Sequence, residues 1–226
     1  MDDGRNDSEK GKVMRTKAVI FDFDGTLTEL AYDFGALRVE IEKIALRYAT
    51  EEQIAEQAHQ YILEMIFGLE AALGPAGERF KQEAFRKLQD LEVEASRGQS
   101  VYPFTRRVLG RLKQRGMKMG IITRGCTKAV RTVFPDLEDY VEAVVTRDDT
   151  RLLKPHPGQL QMILSLLAVK PDEAVVVGDH PTDIQAGRAM AVRTVALLSG
   201  KTNRQAFEEA GADYVIDDIR GLEEVL

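Results

Sequence analysis

Six short apolar runs, separated by helical segments, constrain the fold of this chain more than any other feature. The first run is residues 18–21, and the others lie at residues 119–123, 143–146, 174–178, 194–198 and 214–216. Continuous runs rich in β-branched residues are typical of parallel strands that are buried on both faces. Segments of helical spacing lie between them, several ending at glycine or proline. This alternation predicts an α/β fold with a Rossmann-like, doubly wound parallel sheet.

Residues 28–100 interrupt this alternation, because they contain no run typical of a strand. Their apolar residues follow helical spacing in three stripes, at residues 34–48, 54–73 and 80–95. The pattern predicts a small helical bundle, residues 28–100, inserted after the first strand. The α/β core would then comprise residues 13–27 and 101–226, and the polar residues 1–12 would form a disordered tail.

Composition excludes several classes of protein. The chain has 226 residues, of which 44% are hydrophobic, so a substantial core is available. A net charge of −6 argues against a nucleic-acid partner or a basic membrane-surface protein. No apolar stretch reaches the 18 residues or so of a membrane span. The single cysteine, Cys126, excludes a disulfide within the chain and favours a reducing compartment, so we expect a cytoplasmic protein.

Polar side chains follow the predicted strands at the edge where parallel sheets bind ligands. These are Asp22 and Asp24 after the first run, Thr123, Arg124 and Gly125 after the second, Lys154 in a later loop, and Asp179 and Asp183 after the fourth. Carboxylates gathered at one edge repel one another unless a cation lies among them. Oxygen ligands without a His or Cys cluster favour Mg²⁺, and a magnesium site with a nearby lysine suits a phosphoryl group.

The stretch DFDGTL at residues 22–27 resembles the first motif of the haloacid dehalogenase superfamily in its phosphatase form. Thr123, Lys154 in LKPHP, and GDHPTD at residues 178–183 resemble the second, third and fourth motifs, in the family's order. The helical insert matches the cap of the phosphoglycolate-phosphatase-like branch in position and character. The resemblance therefore implies an Mg²⁺-dependent phosphatase that acts on a small phosphorylated metabolite, with phosphoglycolate as the named candidate.

The resemblance also implies a role for each motif residue. Asp22 would be the nucleophile that forms an aspartyl phosphate, and Asp24 would be the general acid and base. Mg²⁺ would be held by Asp22, the Asp24 carbonyl and Asp179, with Asp183 as an auxiliary ligand that orients the site. Phosphate would be bound by Thr123 with the amides that follow it, through Gly125, and by Lys154. An acid at position 24 argues against dehalogenation, since the true dehalogenases of the superfamily lack it.

Several alternatives stay open at this point. Arg124 stands where related phosphatases usually carry Asn, and it would contact an anionic leaving group or point to solvent. A phosphomutase shares every core motif, and a non-catalytic phosphate-binding module is a third possibility. Cys126 is expected to be a buried thiol rather than a nucleophile, because no histidine is paired with it in the sequence. The sequence leaves monomer or homodimer undecided.

Overall fold

A six-stranded parallel sheet forms the centre of the computed structural model, which describes residues 16–226. The strands are β1 (Ala18–Phe21), β2 (Lys118–Ile122), β3 (Ala143–Val145), β4 (Ala174–Gly178), β5 (Arg193–Leu197) and β6 (Tyr214–Ile216). Their order across the sheet is β3-β2-β1-β4-β5-β6. The six predicted strands are therefore present, and each predicted bound lies within one residue of the observed one.

Strand β1 lies at the centre of the sheet because all four of its side chains are apolar and buried. Its residue Phe21 pairs with Ile121 on one side and Val177 on the other. This register brings the carboxyl ends of β1, β2 and β4 to the same edge of the sheet. Residues that follow these three strands are consequently neighbours in space.

Helices cover both faces of the sheet. They are α5 (Thr105–Gln114), α6 (Thr127–Val133), α7 (Gly158–Leu167), α8 (Pro181–Ala189) and α9 (Arg204–Ala210), numbered after four earlier helices. Val19 and Phe21 pack in one apolar cluster with residues of α5 and α6, whereas Ala18 and Ile20 pack in another with residues of α7. Alternate residues of β1 thus point to opposite, helix-covered faces, and the predicted doubly wound fold is confirmed.

Four helices lie between β1 and α5: α1 (Phe34–Ala45), α2 (Glu51–Ala55), α3 (Ile62–Ala72) and α4 (Gly77–Ser96). We call them the inserted helices. Their buried side chains, among them Ile41, Ile66 and Phe80, form an apolar cluster apart from those of the sheet. The division of the chain into core and cap stays a prediction, and the predicted tail lies outside the described residues. No described helix has the length and apolarity needed to cross a membrane.

The second predicted stripe is divided into α2 and α3 rather than forming one helix. Thr50 and Gln53 form a capping box that begins α2. The turns that follow it are held by Arg38 of α1, whose guanidinium donates to the carbonyls of Gln60 and Gln57 at 2.7 and 3.0 Å. Because these contacts come from another helix, the periodicity of the segment alone does not predict the break.

Candidate active site

Asp22 and Asp24 follow β1 and begin the site. The Asp22 amide donates to the Val177 carbonyl at 2.8 Å, so the ladder between β1 and β4 continues one residue beyond the strand. The chain then turns at Gly25, whose φ is +83°. A Cβ at that position would lie 2.2 Å from Asp179 Oδ2, so glycine permits both the turn and the close approach. The motif thus brings the turn after β1 against Asp179, which directly follows β4.

Lys154 lies between two of the carboxylates. Its Nζ donates to Asp22 Oδ1 and to Asp183 Oδ1, both at 2.5 Å, and the residue is only 2% exposed. Burial alone would lower the pKa of Lys154, but the charges of Asp183 and Asp22 outweigh it and raise this pKa. The lysine therefore carries its positive charge inside the site at neutral pH.

Asp22, Asp179 and Asp183 form a group that we call the acidic cluster. One carboxylate oxygen of each lies within 4.8 Å of the others, and all three residues are buried. Asp183 has both oxygens engaged, since Oδ1 accepts from Lys154 and Oδ2 accepts from the His180 amide at 3.1 Å. Burial, and then the charges of the other two members, raises the pKa of Asp179. One lysine thus leaves negative charge uncompensated, and the donors are the hard oxygens that Mg²⁺ prefers.

Asp24 lies between the acidic cluster and the loop that follows β2, which contains Thr123 and Gly125. Burial, followed by the charge of Asp22, raises the pKa of Asp24 to about 8. A Cβ at Gly125 would lie 3.5 Å from Asp24 Oδ2 and 3.3 Å from Thr123 Oγ1, so the two side chains meet above this glycine. The Asp24 carboxyl consequently holds its proton more firmly than a free aspartate does, which suits it to donate a proton.

Thr123 directly follows β2, and its amide donates to the Val145 carbonyl at 3.0 Å. Its Oγ1 accepts the Gly125 amide at 2.9 Å. The Gly125 amide is therefore used within the loop, and the Thr123 side chain lies beside Asp24, where its hydrogen bond lowers the pKa of that carboxyl. This residue is 1% exposed, so a group that it binds must lie within the site.

Arg124 neither points to solvent nor faces the acidic cluster. Its guanidinium donates to both carboxylate oxygens of Glu64 on α3, at 2.9 and 2.6 Å, and to the Lys154 carbonyl. It also lies over the ring of Tyr61, 5.0 Å from the centroid, and that ring meets His180 edge-on at 6.1 Å. The residue that replaces the usual Asn thus connects the inserted helices to the loop of the site.

Two further residues support the site, and the sequence analysis did not identify them. Thr26 Oγ1 donates to Asp179 Oδ1 at 3.1 Å. Gln159, fully buried on α7, donates to the Thr123 carbonyl at 2.7 Å and accepts the Lys154 amide at 3.4 Å. Gln159 could have been noticed in the sequence, because it is a polar residue beside Leu160 on a helix face that is otherwise apolar.

Two residues that lie close to the motifs in the sequence, His156 and Cys126, have contacts that do not suit them to catalysis. His156 is exposed, and its Nδ1 accepts the Gly158 amide at 3.0 Å. Cys126 is buried at the start of α6, where its sulfur accepts the Ala129 amide at 3.4 Å. Burial, followed by the charge of Glu92, raises the pKa of Cys126 to about 12. The thiol is therefore neutral at physiological pH and unsuited to nucleophilic catalysis.

Comparison with known proteins identifies the family. The family model for haloacid dehalogenase-like hydrolases matches residues 16–191, which include every residue of the site. The chain belongs to this family. Two curated relatives are the pyrophosphatase PpaX of Bacillus cereus (strain ATCC 10987 / NRS 248), 38% identical over 120 residues, and that of Bacillus mycoides, 39% identical over 120 residues. Each match covers 51% of this chain and 54% of the relative, so the chain spans about half the length of these relatives.

Solved structures of other haloacid dehalogenase-like proteins share the fold. A hydrolase from Pseudomonas syringae is 24% identical, with a TM-score of 0.68 over 93% of this chain and 98% of that one. A protein from Haemophilus somnus, described as a predicted phosphoglycolate phosphatase, is 18% identical, with a TM-score of 0.65 over 95% and 99% of the two chains. At these identities the likeness concerns the fold, and it extends over the inserted helices as well as the sheet.

Proposed function

We propose that this haloacid dehalogenase-like hydrolase is a magnesium-dependent phosphatase that hydrolyses a small phosphate monoester. The observation that carries the proposal is the arrangement around Asp22. Its buried carboxylate is held by Lys154 Nζ at 2.5 Å, and Asp24 and the Thr123 hydroxyl converge on the same loop. A nucleophile, an acid, a cation and a hydroxyl donor at one sheet edge are the groups that phosphoryl transfer through an aspartyl phosphate requires.

The proposed reaction has two steps. In the first, a carboxylate oxygen of Asp22 bonds to phosphorus, the bond from phosphorus to the ester oxygen breaks, and Asp24 gives that oxygen its proton. In the second, Asp24 takes a proton from a water molecule, whose oxygen bonds to phosphorus as the bond to Asp22 breaks. Inorganic phosphate leaves, and both acids return to their initial state. Lys154 and the Thr123 hydroxyl neutralise and orient the phosphoryl oxygens in both steps.

The acidic cluster fits Mg²⁺ in its donor chemistry and in its uncompensated charge. Asp22 and Asp179, with the backbone carbonyl of Asp24, would hold the ion. Asp183 would orient Lys154 and the ion from the side, because both of its oxygens already accept hydrogen bonds. When bound, the ion supplies positive charge to the phosphoryl oxygens.

The inserted helices would form the cap that covers this site, with residues 28–100 as cap and residues 13–27 and 101–226 as core. The separate apolar cluster of the inserted helices supports this division, and the Arg124–Glu64 pair joins the two parts beside Lys154. Two compounds are the first to test as substrates. The family resemblance suggests phosphoglycolate, and the PpaX relatives, whose printed name is pyrophosphatase, suggest pyrophosphate.

Hydrolysis of p-nitrophenyl phosphate with Mg²⁺ tests the proposal. We expect Asp22→Asn to lower kcat by at least about 10³-fold, because the nucleophile is lost. EDTA should abolish the activity, and added Mg²⁺ should restore it. Asp172→Asn is the matched control, because Asp172 is exposed and precedes β4, whereas the site lies beyond the other end of that strand. Full activity of Asp22→Asn would exclude the aspartyl-phosphate mechanism.

A further inference from the structure

Tyr61, the residue before α3, is an exposed aromatic residue that contacts two loops of the candidate site. The Arg124 guanidinium lies over its ring, 5.0 Å from the centroid, and the His180 ring meets it edge-on at 6.1 Å. Arg124 belongs to the loop after β2, and His180 belongs to the loop after β4. Since β1 lies between β2 and β4 in the sheet, the Tyr61 ring lies over the carboxyl end of β1, which Asp22 follows.

Hydrogen bonds fix both of the side chains that contact the Tyr61 ring. The Arg124 guanidinium donates to the two carboxylate oxygens of Glu64, three residues after Tyr61, at 2.9 and 2.6 Å. The Nδ1 atom of His180 lies 2.9 Å from Thr182 Oγ1. Tyr61 itself is 57% exposed. Its ring is therefore held in place by its neighbours, while much of its surface is free to contact another molecule.

The direction of the proposed reaction brings the leaving group of a substrate toward this ring. Asp22, Lys154 and Thr123 are only 7%, 2% and 1% exposed, so the phosphoryl group that they bind lies at the bottom of the site. In phosphoryl transfer the attacking and leaving oxygens are roughly in line, on opposite sides of phosphorus. The leaving group therefore points away from Asp22 and from the edge of the sheet, toward the ring that lies over that edge.

The wall that Tyr61 and its neighbours present to the leaving group carries no unpaired charge. The positive charge of Arg124 is matched by Glu64. His180 Nδ1 accepts the Thr182 amide at 3.3 Å, so that nitrogen carries no proton and the imidazole is uncharged. A carboxylate or a second phosphate placed against this wall would lose water without gaining a free cation. An uncharged group with an apolar face would instead gain contact with the ring.

We propose that Tyr61 is a specificity-determining residue whose ring packs against the leaving group of the substrate. The substrate class is then the phosphate monoesters whose leaving group is uncharged and has an apolar or aromatic face. This inference rests on the proposed phosphatase function, and it makes phosphoglycolate and pyrophosphate poorer substrates than such esters.

Two variants separate the ring of Tyr61 from its hydroxyl. Tyr61→Ala removes both, whereas Tyr61→Phe keeps the ring and removes only the hydroxyl. Tyr214→Ala is the matched control, because Tyr214 is 40% exposed and begins β6, whereas the site lies beyond the carboxyl ends of the strands. The Tm of each variant shows whether the fold is retained.

The assay compares kcat/KM for benzyl phosphate, propyl phosphate and phosphoglycolate with Mg²⁺ in each protein. All three compounds are alkyl esters, so they differ mainly in how the leaving group is bound. In the wild type, Tyr61→Phe and Tyr214→Ala, we expect benzyl phosphate to exceed propyl phosphate by about fivefold or more, and propyl phosphate to exceed phosphoglycolate. In Tyr61→Ala, the ratio of benzyl to propyl phosphate should fall by about fivefold or more. Ratios within one protein cancel any general change in turnover.

Binding to the Asp22→Asn protein gives a second readout, measured as the rise in Tm that each compound produces with Mg²⁺, with and without Tyr61→Ala. Turnover with ratios that Tyr61→Ala does not change, or with a preference for phosphoglycolate over propyl phosphate, would overturn the inference and leave the phosphatase function intact. An equal loss of the preference in Tyr61→Phe would do the same, since that variant keeps the ring. Absence of any turnover, with a binding preference for benzyl phosphate that depends on Tyr61, would overturn the phosphatase function alone. Absence of both turnover and preferential binding would overturn both.

Discussion

Replacing Lys154 by methionine tests whether the charge of Lys154 holds the acidic cluster together. Methionine has a similar length and no charge, so Asp22 and Asp183 would lose the cation that lies 2.5 Å from each. At an effective dielectric constant of 20, one such contact is worth about 6 to 7 kcal/mol before desolvation is subtracted. Removing one partner of a buried ion pair costs about 3 to 5 kcal/mol in practice, because the remaining charge is unpaired.

We therefore expect Lys154→Met to lower the free energy of unfolding by about 3 to 5 kcal/mol. For a chain of this size that loss corresponds to a decrease in Tm of about 6 to 20 °C. Urea titration and calorimetry in EDTA measure it, since EDTA keeps a divalent ion from replacing the lost charge. Lys170→Met is the control, because Lys170 is exposed and precedes β4, at the end of that strand opposite to Asp179.

A double-mutant cycle with Asp183→Asn separates charge from packing. If unpaired carboxylates cause the loss, Lys154→Met should cost at least 1 kcal/mol or so less in the Asp183→Asn background. If the effects of the two substitutions add to within about 0.5 kcal/mol, the lysine acts through packing and the electrostatic argument is refuted.

Three further predictions concern other parts of the chain. Cys126, with its pKa raised to about 12 by burial, should not react with a disulfide reagent at pH 8 until guanidinium unfolds the chain; rapid labelling of the native protein would contradict this. Arg106 lowers the pKa of Asp136, so their pair stabilises the fold above about pH 4 and this contribution is lost as the pH falls. Since the pair is more than one third exposed, Asp136→Asn should cost less than about 1 kcal/mol at pH 7 and nothing near pH 2, as urea titrations would show. Gly25→Ala should lower phosphatase activity about tenfold or more, because its Cβ would lie 2.2 Å from the acidic cluster. Gly98→Ala, at a similar φ of +75° with open space around it, should retain activity, and equal losses in both would point to backbone strain alone.

The sequence predicted the sheet well because the signal for each strand is local. Ala18–Phe21 and Ala174–Gly178 are apolar at every position, and a strand buried on both faces needs nothing more. The division between α2 and α3 was not predicted, because it depends on Arg38, which lies 19 and 22 residues before the carbonyls that it binds. Hydrogen bonds between residues so far apart in the sequence do not alter the apolar periodicity of residues 54–73. The break between the two helices therefore cannot be predicted from that periodicity.

The motif residues were predicted for the same reason, since each directly follows a strand or lies in a recognisable loop. The residues that hold them in place were not. Gln159 binds the Thr123 carbonyl from 36 residues away, and Glu64 binds Arg124 from 60 residues away. Glu92 was visible in principle, because it lies one turn after Leu88 on the apolar stripe of its helix. A carboxylate on a buried stripe therefore indicates a distant cation, although the sequence does not say which one.

The charge of the chain is distributed in a way that these contacts explain. Residues 28–100 carry 14 acidic and 8 basic side chains, so the net charge of the inserted segment, −6, equals that of the whole chain. Three acids of that segment pair with arginines outside it, in the pairs Glu64–Arg124, Glu70–Arg151 and Glu92–Arg147. Each arginine follows β2 or β3 at the edge of the sheet where the site lies. These three pairs therefore neutralise acids of the inserted segment where it contacts the loops that follow β2 and β3. Glu92–Arg147 is buried and so resists screening by salt, whereas Arg151 is 62% exposed and its pair weakens as salt increases.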